Sequence, residues 1–360
     1  MPQQARTVGV IGLGYGRAHI PGFQANGCRV VAVCQRNEAA ARTIADRYGV
    51  PGVYARWEDL LAEAKPEIVV IATPPHLHEA IAARAFAQGA HVLCEKPVAM
   101  TRAEARRMVE AAARAGRVAM TGFNWRFPPA MTRLNAMVRE GAVGRVFHVS
   151  ARWFGGRMAD ETFTPTWRMD RAIAGHGAMG DMGVHLVDLI RWNFGEFRRL
   201  VAHAGVAYAS RTVPGGAKPA DAEDHATVLA ELESGTEVTL SVSRVARGVN
   251  DHTLEAFGTT GAVAYRLDRD TPRWWAGRLM AASGAATFAP VAVDAGDADG
   301  DPMEIIGRAT IAPLVARMLD AIDRGAAAAP SLEDGLRAQA VLDAVADSLA
   351  RRAWVDVARS

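Results

Sequence analysis

Two short stretches carry side chains whose types and spacing suit proton chemistry. Residues 94 to 100 read Cys-Glu-Lys-Pro-Val-Ala-Met, directly after an apolar run that ends in Val92 and Leu93. Strand ends in open α/β sheets are where ligands bind, so Lys96 is a candidate reactive lysine; a plain turn is the other reading. Residues 175 to 192, GHGAMGDMGVHLVDLIRW, set Asp181, His185 and Asp188 at spacings of four and three. On a helix these share one face, with Leu186, Leu189 and Ile190 on the core-facing side. An Asp one turn before a His is placed to fix the orientation or tautomer of the ring. Metal ligation is the competing chemistry for His76, His78, His176, Asp181 and His185. His76 and His78, however, follow a Pro-Pro turn into a helix, and no His-Glu-x-x-His or Cys-x-x-Cys set is present. No metal is expected.

The elements that must position these residues are legible in the first third of the chain. Thr7 to Ile11 is apolar and β-branched, Gly12, Gly14 and Gly16 follow, and a helical pattern runs through Phe23. The same alternation continues with a strand from Arg29 to Cys34, a helix stopping at Gly49, and a helix over Trp57 to Ala64. Then come the buried strand EIVVIATPP, the helix HEAIAARAFAQG and the strand HVLCEKP. Strands alternating with helices of this length predict an α/β fold with a doubly wound parallel sheet.

The glycines admit two readings, a dinucleotide cradle or a turn without ligand. In a cradle, the first Gly makes the tight turn, the second admits the pyrophosphate and the third packs helix on strand. Here the third glycine, Gly16, comes one place early and Arg17 takes its usual position. About 20 residues on, an Asp or Glu would bind the ribose hydroxyls, but this chain has Gln35 and Arg36. Arg36 can pair with a 2′-phosphate, so the reading leans to NADP, or dual use, over strict NAD; a surface Arg turned away is the alternative.

Past NWRFPP the pattern changes. The helix AMTRLNAMVREG is followed mainly by strand-like runs, from RVFHVSARWF through HATVLAELES and TEVTLSVSRVA to AVAYRL. Alternation and glycine turns predict a second, α+β domain with a large, mainly antiparallel open sheet. The boundaries are 1–124 and 125–360, with the C-terminal helix able to pack back on the first domain. The segments TVPGGAKPADAED and AGDADGDP are expected as exposed loops, the acidic one lacking the rest of an EF-hand loop.

A chain of 360 residues exceeds the usual single core,. Half of it is hydrophobic, 22% is charged and the formal charge is only +2, which favours neither nucleic acid nor an anionic membrane as partner. Three spaced cysteines suit unpaired thiols in a reducing compartment. The N-terminal run has no signal-peptide pattern, and no apolar stretch reaches the roughly 20 residues of a membrane helix. A cytoplasmic location is expected.

Taken together, the glycine turn followed by His19, ATPPHLH at 72–78, CEKPVAM at 94–100, GFNWRF at 122–127, Trp167-Arg168, GAMGDMGVHLVDL at 177–189 and the closing SLEDGLRAQAVLDAVADSLA resemble the glucose-fructose oxidoreductase, inositol dehydrogenase and MocA (Gfo/Idh/MocA) family. The match runs through nearly the whole chain. The resemblance implies an N-terminal Rossmann domain, a homodimer or homotetramer through the second domain's sheet, and NAD(P)-dependent oxidoreduction of a polyol, sugar or cyclitol. It assigns catalysis to Lys96, Asp181 and His185. It assigns the cofactor to Gly12, Gly14, Tyr15, Gly16, Gln35, Arg36, Thr73, Pro74, His76, Glu95, Lys96, Asn124, Trp167 and Arg168, and the substrate to Trp125, Arg168, His176 and Asp181.

Oxidising a secondary alcohol removes a hydride from carbon and a proton from oxygen, so a base must reach that hydroxyl. His185 has the ordinary pKa for this task, Lys96 as an ammonium would stabilise the alkoxide, and Asp181 would orient; a desolvated lysine can also exchange roles with the histidine. The chain departs from the family pattern at Pro75, where an Asn is common, at Trp125, where Arg is common, and at His176, where Gly is common. Two other readings are a redox-assisted glycoside cleavage or elimination with no net cofactor change, and an NAD(P)-binding sensor without catalysis.

Overall fold

A computed structural model of the chain describes residues 5–297 and 300–359. The apolar run Thr7–Ile11 (β1) turns through its glycines into His19–Gln24 (α1). The alternation continues as Arg29–Cys34 (β2), Glu38–Tyr48 (α2), Gly52–Tyr54 (β3), Trp57–Glu63 (α3), Ile68–Ile71 (β4), His78–Ala87 (α4), His91–Cys94 (β5), Arg102–Ala115 (α5) and Ala119–Thr121 (β6). All six strands are parallel, in the order β3-β2-β1-β4-β5-β6, the doubly wound order of dinucleotide-binding sheets. The four residues of β4, Ile-Val-Val-Ile, are all buried, as a central parallel strand covered on both faces requires. Asn37 and Thr101 cap α2 and α5 by accepting from the N–H groups of Ala40 and Glu104, and Gly49 and Gly116 end these helices in the left-handed region,.

The chain divides into two compact units and passes between them three times: the first unit runs to Phe127 and resumes for the segment ending at Leu336. Polar groups of the first unit explain the return. Asn124 Nδ2 donates to Thr310 Oγ1 at 2.7 Å, and the Thr121 N–H and hydroxyl donate to the carbonyls of Pro330 and Ser331. The NWRFPP signal in the sequence marks only the first of the three crossings. In the acidic run near residue 300, Asp299 lies outside the described residues, while Asp301 accepts from the N–H groups of Met303 and Glu304 and caps the helix Pro302–Ile306.

The second unit contains Pro129–Arg139 (α6), Val146–Gly155 (β7), Arg171–Ala174 (α7), Val184–Phe194 (α8), Phe197–Gly205 (β8), Ser210–Val213 (β9), Gly216–Pro219 (β10), His225–Leu232 (β11), Glu237–Ser243 (β12), Asn250–Gly258 (β13), Gly261–Asp268 (β14), Arg278–Ser283 (β15), Ala289–Val291 (β16) and Val355–Asp356 (β17). Nine strands form one sheet, β16-β15-β14-β13-β7-β12-β11-β8-β17, antiparallel except for the β7–β12 pair. Residues of β11 alternate between exposed and buried along most of its length, so one face of the sheet packs inward and the other does not. Helix α8 packs on β7.

The segment expected as an exposed loop, residues 212–224, is exposed over nearly all of 212–219 and at Asp221, but it is more ordered than a loop and its end is buried. β9 and β10 pair as a hairpin, Arg211 is fully buried, and Ala220, Ala222, Glu223 and Asp224 are buried behind it. Small and acidic residues read as a solvated loop because their partners are remote in sequence: Asp224 is bonded to Arg244 at 2.8 Å.

Candidate active site

In the first unit the three glycines have three separate roles. Gly12 takes φ +92°, and a Cβ there would stand 2.4 Å from the Ala72 carbonyl oxygen. Gly14 has no heavy atom within 4 Å of where a Cβ would lie, so a ligand can approach its backbone. Gly16 would place a Cβ 2.8 Å from that of Ala72. The packing role of the third glycine is thus filled one position early, because Gly16–Ala18 is a 3₁₀ turn ahead of α1, and Arg17 is left exposed. Tyr15 is half-buried, with its ring edge-on to His19. At the end of β2 the Gln35 N–H donates to the Tyr54 carbonyl, Arg36 is exposed, and Asn37 begins α2.

The turns after β4, β5 and β6 carry the other candidates of this unit. Thr73 and Pro74 follow β4, and His76 is exposed on the next turn. His78 is buried, with Nε2 2.8 Å from the Thr73 carbonyl, Nδ1 3.2 Å from the Val98 carbonyl and 3.4 Å from Cys94 Sγ. Burial pushes the His78 imidazole below its ordinary pKa and the Cys94 thiol well above its own. Glu95 is buried, with Oε1 2.8 Å from Nε2 of the fully buried His19; its Oε2 accepts from the Lys96 N–H at 3.3 Å. Lys96 is half-buried and precedes Pro97 through a cis peptide. Asn124 and Trp125 are buried in a short turn beyond β6.

These residues fit a dinucleotide. The glycine turn leaves an open approach at Gly14, and Thr73 Oγ1 and Asn124 Oδ1 are buried with no hydrogen-bond partner among the described residues. Both sit at the carboxyl ends of parallel strands, where such ligands bind. The pyrophosphate would approach at Gly14, in the turn that Gly12 and Gly16 shape, and Thr73 and Asn124 have hydrogen-bonding capacity to offer.

In the second unit, α7 ends at Gly175, with φ +72°, and residues 179–183 form one turn of π-helix before α8. Asp181 lies in that wide turn, so it does not precede His185 by a regular α-helical turn; π turns recur at functional sites. His185 and Asp188 are 3% and 1% exposed, so the polar face expected on this helix is buried as fully as Leu186 and Leu189. The His185 ring lies 5.5 Å from that of Trp153 on β7. Arg168 stacks over Trp167 at 4.3 Å, and its Nε donates to Asp181 Oδ1 at 3.2 Å. The structure thus joins Arg168 with Asp181. His176 is partly exposed; desolvation pushes its imidazole down, against the opposing pull of Glu223 and Asp343.

Several residues with a clear place around these side chains carried no sequence signal. Glu223 accepts from the N–H groups of Gly177 and Met179, and Arg244 bonds both Asp224 and the Arg168 carbonyl. His252 is 4.5 Å from Trp153, centroid to centroid. Their partners lie far away along the chain, so no local spacing marks them. Among the described residues no cluster of three or more His, Cys, Asp and Glu is arranged to hold a metal ion.

Comparison with known proteins adds independent findings. Residues 6–123 match the family model for the oxidoreductase family with NAD-binding Rossmann fold, and residues 131–264 match that for the GFO/IDH/MocA C-terminal domain. Levoglucosan dehydrogenase of Pseudarthrobacter phenanthrenivorans is 29% identical over 390 residues, covering 98% of each chain. An uncharacterised oxidoreductase of Synechocystis sp. is 32% identical over 267 residues, which is 73% of this chain and 72% of that one. A solved levoglucosan dehydrogenase in complex with NADH and L-sorbose matches 99% of this chain and 100% of its own, with a TM-score of 0.89 at 28% identity.

Proposed function

The chain belongs to the GFO/IDH/MocA family of NAD-dependent sugar and polyol oxidoreductases, and on that premise we propose that it interconverts a secondary alcohol and a ketone on a sugar, cyclitol or related polyol. The observation that carries this reading is the glycine turn, whose Gly14 is open to approach while Gly12 and Gly16 are pressed against Ala72. Likeness to levoglucosan dehydrogenase along 98% of both chains supports a sugar-sized substrate.

The nicotinamide, when bound, supplies or accepts the hydride. The chain's own residues handle the proton. In oxidation His185 takes it from the hydroxyl, its ring held against Trp153 so that little reorientation is required,. Lys96 as an ammonium stabilises the oxygen as negative charge develops, and in reduction it polarises the ketone. Asp181, tied to Arg168, orients the reacting hydroxyl. An exchange of roles between Lys96 and His185 would appear as residual, pH-shifted activity in one variant.

Finer features follow the same reading. Arg36, with Gln35 beside it and no carboxylate at the end of β2, suits a 2′-phosphate, so use of NADP alongside NAD is proposed. Phe147 and Phe288, 49% and 39% exposed, line a groove of about 650 Å³ with Phe257 and Thr260. That apolar surface supports a homodimer or homotetramer through the sheet of the second unit. Three buried free cysteines support a cytoplasmic location, and among the described residues no helix is long and apolar enough to cross a membrane.

The test is a fluorescence titration of NAD(H) and NADP(H), followed by sugars, inositols and small ketones with the nicotinamide absorbance monitored. Tight binding with a substrate-dependent absorbance change is expected. Lys96→Ala and His185→Ala should each lower kcat roughly 100-fold or more with cofactor affinity little changed. Near-normal rates in both would refute the assignment. Product formation without net absorbance change would indicate redox-assisted cleavage, and binding without any turnover would indicate a sensor.

A further inference from the structure

We infer that Glu223 is a positioning residue for the turn and helix that carry Asp181 and His185, an inference that rests on the acid–base reading of those two residues. A helix leaves its first N–H groups without intrahelical partners. Here three successive ones are served by a single residue. The Gly177 and Met179 N–H groups donate to Glu223 Oε1 at 2.7 and 3.2 Å, and the Ala178 N–H donates to the Glu223 carbonyl at 2.7 Å. An ordinary cap comes from the residue just before the helix, whereas Glu223 lies 46 positions beyond Gly177. Its carboxylate is buried and is completed by Arg171, whose Nη2 stands 3.3 Å from Oε2.

The approach is close enough to dictate sequence on both sides. A Cβ on Gly177 would stand 2.0 Å from the Glu223 carbonyl oxygen, so residue 177 must be glycine for this docking. The neighbouring residue secures the segment from the other side: Asp224 accepts from Arg244 Nε at 2.8 Å and from the Ala207 N–H at 2.9 Å. Arg244 in turn donates to the carbonyls of Arg168 and Ala222. Both members of the Arg168–Asp181 pair are therefore referenced to the same two-residue segment, Arg168 through Arg244 and Asp181 through the capped turn. A π turn persists only where its surroundings hold it. With the Glu223 side chain truncated, the Gly177 and Met179 N–H groups lose their acceptor, only the Ala178 N–H keeps its bond to the carbonyl of residue 223, and the turn is released to relax.

Glu223→Ala, Glu223→Gln and His185→Ala are compared by steady-state kinetics, NADH titration and amide hydrogen exchange. In Glu223→Ala, kcat should fall roughly 100-fold, the scale of an ångström-level misplacement, with NADH affinity unchanged and faster exchange confined to residues 177–183. Glu223→Gln retains an acceptor carbonyl without the charge and should fall between, about tenfold below the parent. Near-normal kcat in a folded Glu223→Ala beside an inactive His185→Ala overturns the inference alone. Near-normal kcat in His185→Ala overturns the acid–base reading and the inference with it. Should Glu223→Ala not fold, Glu223→Gln decides: a lowered kcat with faster exchange at 177–183 supports positioning, and unchanged values for both overturn it.

Discussion

The proposed pairing with a 2′-phosphate rests on one side chain, Arg36. It stands two places beyond the end of β2, exposed, with neither an Asp nor a Glu at Gln35 to claim the ribose hydroxyls. Arg36→Ala should weaken NADP binding about tenfold, the scale of one charge-assisted hydrogen bond, and leave NAD binding nearly unchanged; titrations with both cofactors check this, and equal losses would refute the phosphate pairing. The residues that the sequence singles out as candidates are those whose type is unusual where it occurs: a lysine after an apolar strand, and an Asp and a His beside a glycine-rich turn. Glu223, Arg244 and His78 were illegible as to role. Each depends on a partner brought near by the fold, and His78, considered only as a metal ligand, instead holds the Thr73 carbonyl.

Among elements, the glycine turn between β1 and α1 separates a folding requirement from a binding one. Gly12→Ala adds a Cβ at φ +92° and 2.4 Å from a carbonyl oxygen, so a loss of roughly 1–3 kcal/mol of stability is expected. Gly14→Ala meets no protein atom; its melting temperature should match the parent while cofactor affinity falls, because the added methyl occupies the approach. Thermal unfolding and cofactor titration on the same two variants separate the effects. The strands of the first sheet were readable because alternating β and α runs are long and punctuated by glycines. The β9–β10 hairpin was not, since Gly, Pro and Ala describe a loop equally well and its anchor, Arg211, is charged yet fully buried. The π turn at 179–183 was also hidden: a spacing of four between Asp181 and His185 reads as α-helix whatever the turn becomes.

At the scale of the whole molecule, buried imidazoles set the response to acid. Burial and the nearby Arg117 and Arg6 lower His91 to about 4, burial and Arg269 lower His252 to about 3, and burial also lowers His78 and His176. Each binds its proton more readily unfolded than folded, so its contribution is complete above pH 6.5 and is lost as pH falls toward the folded value. The fully buried rings of His78 and His252 each steepen the loss by at most about 1.4 kcal/mol per pH unit,, and the partly exposed His91 and His176 by less,. Urea unfolding at pH 7, 6 and 5 should show progressively lower stability; a flat profile would contradict it. Length and pattern suggested two parts and a C-terminal helix able to pack back on the first; where the chain would return could not be read, because the return rests on single hydrogen bonds such as Asn124 to Thr310. That return bears on synthesis. Strand β6, at the edge of its sheet, bridges through Met120 to Ser331, and the Thr121 N–H is met by Pro330. The partner of Thr121 at Ser331 is translated 210 residues later, roughly 10–40 s at ordinary elongation rates. Until it emerges from the ribosome, the nascent sheet has a bare edge of the kind that pairs with other chains, so premature termination before residue 330 would leave a product poised to aggregate.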